Sequence, residues 1–96
     1  MTEANGQAEI EVTISNAQGL HARPVMRFVD LASTFQSSIR VLKRSDGRSV
    51  DGKSPMEMML LEGVKGTVFG ICAQGPDARE AVQALADLVN SKFGEE

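Results

Sequence analysis

Ile10, Val12 and Ile14 alternate with Glu9, Glu11 and Thr13 near the start of the chain. A period of two, with β-branched residues on one side, predicts a strand with one face buried and the other in water. Ser15 to Gly19 is a turn-forming stretch, after which Val25, Phe28, Val29, Ala32 and Phe35 recur at helical spacing. A helix is therefore expected from about Ala22 to Phe35, with Pro24 near its start, where the first amides have no intrahelical partner. Ile39 and Val41 mark a second strand over Ser38 to Leu42. Ser45-Asp46-Gly47 then reads as a hairpin turn into a short third strand, Arg48 to Asp51. Ser54-Pro55-Met56-Glu57 opens a short second helix with a serine N-cap and a capping-box glutamate, and Gly63 is expected to end it. Thr67 to Gln74 is a fourth strand in which Phe69, Ile71 and Ala73 share a face. Gly75-Pro76-Asp77 breaks it and offers Asp77 as cap for a last helix, whose apolar stripe is Ala81, Val82, Leu85, Leu88, Val89 and Phe93.

The order is β-α-β-β-α-β-α. Alternating strands require one buried sheet face, against which the amphipathic helices pack. The expected fold is α+β: a two-layer open-faced β-sandwich, a four-stranded antiparallel sheet with three helices on one face. Glu9, Glu11, Arg40 and Gly70 belong to the watery side. Ninety-six residues make one domain. Residues 1–7 are polar and expected to be disordered, 8–93 to form the domain, and 94–96 to be a polar tail.

Composition narrows the function. With 42% hydrophobic and 24% charged residues the chain is not intrinsically disordered, and its net charge of −3 argues against nucleic acid as main partner. One cysteine and one histidine exclude an internal disulfide and make a structural zinc site unattractive. No segment approaches the roughly 20 apolar residues of a membrane span, and no signal peptide is recognisable, so a cytoplasmic protein without metal or cofactor is expected.

The single histidine lies in Gly19-Leu20-His21-Ala22-Arg23-Pro24, where the first helix begins. A helix start carries unpaired amides and partial positive charge, so this imidazole stands where an anion is favoured, with Arg23 as a charge-assisted partner. Phosphorylated imidazole is a reactive phosphoramidate, suited to accepting a phosphoryl group and handing it on. The competing reading is a loop histidine that bonds only its neighbours. Gly63-Val64-Lys65-Gly66 also fits the GxxG of RNA-binding KH domains, but a strand follows it here where a helix would be required. Cys72 reads as a small strand residue.

The run Gly19-Leu20-His21-Ala22-Arg23-Pro24 resembles the active-site signature of the HPr family, the histidine-containing phosphocarriers of the bacterial sugar phosphotransferase system. The resemblance extends from about Ala8 to Phe93. It includes Lys53-Ser54 before a Met-rich helix and Lys65-Gly66-Thr67-Val68 opening the last strand. It implies that His21 is phosphorylated at Nδ1, receiving the group from phosphoenolpyruvate-dependent Enzyme I and passing it to an Enzyme IIA domain. The protein would then be a carrier with a transient phosphohistidine, a substrate of two enzymes and not itself an enzyme. Arg23 matches the family's phosphate-site arginine, while Gln18 and Ala22 belong to the loop and helix start around the phosphate. Relatives without a phosphorylatable residue at this position act only as regulators, and this chain keeps the histidine.

In many relatives the serine matching Ser54 is phosphorylated by HPr kinase/phosphorylase, which gives the alternative: a regulatory module of a nitrogen-type or carbon-catabolite branch. Pro55 and Glu57 depart from the common pattern there, and Ser54 is equally a helix cap. Period reasoning turns Met58 and Leu61 inward and Met56 and Met59 outward. Met56 and Met59 are therefore candidates for partner docking, since exposed methionine suits a surface that meets several partners. The resemblance adds Met26, near the histidine, and Arg27 lies one helical turn beyond Arg23, where it could meet an acidic partner. A shuttle of this kind is expected to be a monomer.

Overall fold

The structure is a computed structural model that describes residues 2–4 and 6–95. Five strands, β1 (Thr2–Ala4), β2 (Gln7–Thr13), β3 (Ser38–Lys43), β4 (Ser49–Asp51) and β5 (Val68–Gln74), form one sheet in the order β1-β2-β5-β3-β4. Every neighbouring pair is antiparallel. The helices are α1 (Ala22–Ala32), α2 (Pro55–Met59) and α3 (Ala78–Asn90), followed by a 3₁₀ turn over Lys92–Gly94. This is the expected open-faced sandwich, with a fifth strand added at one edge.

That edge strand corrects the expectation of disorder over residues 1–7, of which Met1 and Asn5 lie outside the described residues. Thr2–Ala4 pairs with Gln7–Glu9, and Gly6, at φ +78°, reverses the chain between them. Gly75 N–H donates to Gly6 O at 2.8 Å, tying the reversal to the end of β5. Strand pairing here draws on backbone groups, which leave no trace in a hydropathy pattern.

Register explains the core. Val12 faces Phe69 across β2 and β5, Ala8 faces Ala73, and Ile71 lies between Ile10 and Val41. Val25, Phe28 and Val29 of α1, Met58 of α2, and Ala81, Val82, Leu85 and Val89 of α3 cover this face and are buried with it. On the other face Gly70 is not open to water as expected. The Arg44 guanidinium lies across it, pairing with Glu9 at 2.5 Å and Glu11 at 3.2 Å, and a Cβ on Gly70 would come within 2.7 Å of Arg44 Nη2.

Helix ends differ from expectation in all three helices. α1 stops at Ala32, not Phe35, and continues as i→i+3 turns through Phe35, with Thr34 Oγ1 donating to Leu31 O at 2.7 Å. Side-chain hydroxyls that bond local carbonyls compete with helix propagation in this way. α2 is capped as expected, Ser54 Oγ accepting from Glu57 N–H at 3.2 Å, but the Glu57 carboxylate accepts from Asp51 N–H at 3.0 Å and so does not close the capping box. α2 ends at Met59, before Gly63, and Glu62 takes the left-handed conformation after it at φ +53°.

Asp77 occupies the N-cap position of α3 without capping it. Its carboxylate instead accepts from Ser37 Oγ at 2.5 Å and from the amides of Gln36 and Ser37 at 2.9 Å each. These bonds, the Ser37 hydroxyl foremost, hold the carboxyl below its ordinary range. Since the unfolded value is about 3.9, the resulting stabilisation is complete above that pH and is lost as pH falls through the lower folded value. Asp77→Ala is expected to be less stable than the wild type at pH 7, with the gap narrowing below about pH 4. Urea unfolding at stepped pH measures it, and a pH-independent gap would contradict the assignment.

Candidate functional site

The loop before α1 is shaped by two glycines from distant parts of the chain. Gly19, at φ +68°, lets the backbone turn back so that Leu20 N–H donates to Gly63 O at 2.6 Å. A Cβ on Gly19 would lie 2.4 Å from that oxygen, and one on Gly63 would lie 2.6 Å from the Phe69 ring. Leu20 is buried in the core cluster and anchors the loop from its side-chain end. His21 follows immediately, as the N-cap residue of α1, with its carbonyl accepting from Val25 N–H at 3.1 Å.

The imidazole does not cap the helix. The amides of Ala22 and Arg23 therefore keep no partner among the described residues, as the first amides of a helix do when no side chain caps them. Nε2 of His21 lies 3.0 Å from Glu95 Oε2 and 3.2 Å from Oε1. A carboxylate only accepts, so in the neutral ring Nε2 carries the proton and Nδ1 keeps its lone pair. The His21 side chain is 36% exposed and that of Glu95 15%. Asn16, wholly buried, donates from Nδ2 to Gly19 O at 2.7 Å and to Glu95 Oε1 at 3.2 Å. Its Oδ1 has no partner among the described residues.

Glu95 corrects the expectation of a polar tail at 94–96, of which Glu96 lies outside the described residues. Lys92, Phe93 and Gly94 have φ of +58°, +55° and +73°. For the first two this left-handed backbone costs about 1–2 kcal/mol each. The turn it makes drives Phe93 fully into the core and brings Glu95 back over the start of α1. Arg27, a docking candidate, is partly committed here, since Nη1 donates to Phe93 O.

Arg23 is exposed and its side chain pairs with no other side chain among the described residues, so its guanidinium is available to a ligand at the helix start. Gln18 and Ala22 are also exposed. The arrangement provides an unprotonated ring nitrogen, unpaired amides and a guanidinium at one helix start, which suits transient attachment of an anionic group.

Among the described residues the exposed large apolar side chains are Met26, Met56, Met59, Leu60 and Val64, while Met58 and Leu61 are buried, as the helical period requires. α1 and α2 pack against each other, and Val64 follows Gly63, the residue bonded to the histidine loop. Val64 was not singled out by the sequence, because nothing in a Gly-Val-Lys-Gly turn shows which loop it meets. Asn16 and Glu95 were missed for the same reason: their partners lie 79 and 74 residues away along the chain. Among the described residues no cluster of His, Cys, Asp and Glu could hold a metal ion, and no helix is long and apolar enough to cross a membrane. Cys72 has its thiol pushed up by burial and by Glu9, which suits an unreactive strand residue.

Residues 8–91 match the family model described as the PTS HPr component phosphorylation site. The chain is 46% identical over 84 residues to phosphocarrier protein HPr of Neisseria meningitidis, covering 88% of this chain and 92% of that protein. The crystal structure of HPr-C-His from Thermoanaerobacter tengcongensis superposes with a TM-score of 0.87 at 47% identity, covering 93% of this chain and 98% of that one. An HPr dimer from the same organism gives a TM-score of 0.73 at 44% identity, covering 99% and 100%.

The Gly19–Gly63 approach is open to a direct test. Gly19→Ala adds both an unfavourable φ and a 2.4 Å contact with a backbone oxygen. It is expected to cost at least about 1–3 kcal/mol in denaturant unfolding. Wild-type stability in that variant would show that the loop can relax away from Gly63.

Proposed function

The chain belongs to the HPr family and is a phosphoryl carrier of the phosphotransferase system, and from that premise we propose that the group is carried on Nδ1 of His21. The observation that carries this reading is the bond from Nε2 to Glu95, because it leaves Nδ1 as the nitrogen with a free lone pair. Attack on phosphorus requires that lone pair. The amides of Ala22 and Arg23 and the Arg23 guanidinium then stabilise the added charge without a metal. A carrier must also release its cargo, and a site with few, partly exposed contacts binds the phosphoryl group without trapping it.

The donor in this proposal is phosphorylated Enzyme I, and the acceptor is an Enzyme IIA domain, both meeting the protein in the cytoplasm. They dock on the apolar surface formed by Met26, Met56 and Met59, which Leu60 and Val64 extend, with Arg27 at its rim. One chain supplies every group named, so a monomer suffices.

Regulation by HPr kinase/phosphorylase at Ser54 is the second reading. Ser54 Oγ accepts from Glu57 N–H, and the Glu57 carboxylate is held nearby by Asp51 N–H. A phosphate on Ser54 would add two negative charges beside that carboxylate. The geometry therefore favours Ser54 as a helix cap in this chain.

Incubation with Enzyme I and labelled phosphoenolpyruvate is expected to load one acid-labile, base-stable phosphate, and His21→Ala to load none. Equal labelling of His21→Ala would refute the assignment. Arg23→Ala is expected to fold normally, since the side chain is exposed. It should slow transfer by about 10–100-fold, the loss of one charge-assisted hydrogen bond. Unchanged kinetics would remove Arg23 from the site.

A further inference from the structure

We propose that Glu95 is a positioning residue for phosphoryl transfer: its carboxylate, held by Asn16, fixes the His21 proton on Nε2 and balances the charge of the ring while Nδ1 is phosphorylated. The proposal rests on the carrier reading of His21 and adds to it a group from the last turn of the chain. Glutamate near a chain end is ordinarily solvated. Here it is drawn over the imidazole by consecutive left-handed residues, by a fully buried Phe93 and by Arg27 on the Phe93 carbonyl.

Asn16 supplies an independent observation. It is a wholly buried amide whose nitrogen serves the histidine loop, through Gly19 O, and the tail, through Glu95 Oε1, while its oxygen has no partner among the described residues. A buried polar side chain that leaves its own acceptor unsatisfied is costly for packing alone. Its placement makes sense as the bracket that sets Glu95 against His21.

The chemistry needs no proton transfer. The Nδ1 lone pair forms the N–P bond as the donor's bond to phosphorus breaks and its electron pair leaves with the donor. The Nε2 proton stays in place, so the phosphorylated ring carries an imidazolium-type positive charge beside the Glu95 carboxylate. When the next acceptor attacks phosphorus, the N–P electron pair returns to Nδ1 and the neutral ring is restored. A fixed carboxylate at Nε2 thus favours the reactive tautomer before transfer and the charged ring during it.

The test uses the full chain labelled with ¹⁵N, with nitrogen shifts of the neutral imidazole recorded at about pH 9. Wild type is expected to show Nε2 protonated and Nδ1 bare, and Glu95→Ala to show the averaged shifts of a free imidazole. Phosphoryl uptake from Enzyme I should fall on the order of tenfold in Glu95→Ala, and also in Glu95→Gln, which keeps the shape and removes the charge. Wild-type nitrogen shifts in Glu95→Ala, or wild-type uptake in both variants, would overturn the proposal. The shifts are read without any phosphoryl donor. Labelling of His21→Ala would therefore sink the carrier reading without touching them, while normal behaviour of the Glu95 variants beside an unlabelled His21→Ala sinks this proposal alone.

Discussion

A hydrogen bond of 2.6 Å from Leu20 N–H to Gly63 O joins the loop before α1 to the loop after α2. Two side-chain-free positions allow it, since a Cβ at either would collide with backbone or with the Phe69 ring. Leu20 and Phe69 close the contact from the core side. The position of His21, the direction in which α1 leaves the loop, and the presence of Val64 beside the site all follow from this one approach. Short-range backbone contact of this kind cannot be loosened a little: either the chains meet or the loop must be rebuilt.

The tail reaches the same place from the opposite end of the sequence. Its left-handed turn is unfavourable on its own, and burial of Phe93 offsets that cost, since sequestering a large aromatic side chain contributes roughly 1.5–3 kcal/mol. The core thereby holds a carboxylate in register with an imidazole that is itself in register with a helix start. The tail, 74 residues from the ring along the chain, thus meets it through the fold and not through covalent proximity.

The two faces of the sheet divide the work. The helix-covered face supplies the packing that fixes these registers, whereas the outer face settles its charges locally, with Arg44 laid over Gly70 between Glu9 and Glu11. Among the described residues the exposed large apolar side chains belong to α1, to α2 and to the segment after α2.

The order of elements, the inward and outward assignment of the methionines, the cap on α2 and the histidine-arginine pair at a helix start were all legible in the sequence. Each depends on periodicity or on neighbours within a few residues, and such local preferences survive into the fold. Boundaries slipped where side chains had a better distant partner, as when Asp77 turned from capping α3 to Ser37, or Glu57 to Asp51. Strand β1, the seat of Arg44 on Gly70, and the Asn16–Glu95–His21 chain were decided only by tertiary structure. Their groups lie up to 79 residues apart, and a one-dimensional pattern records which residues want burial or charge but not which of them will meet.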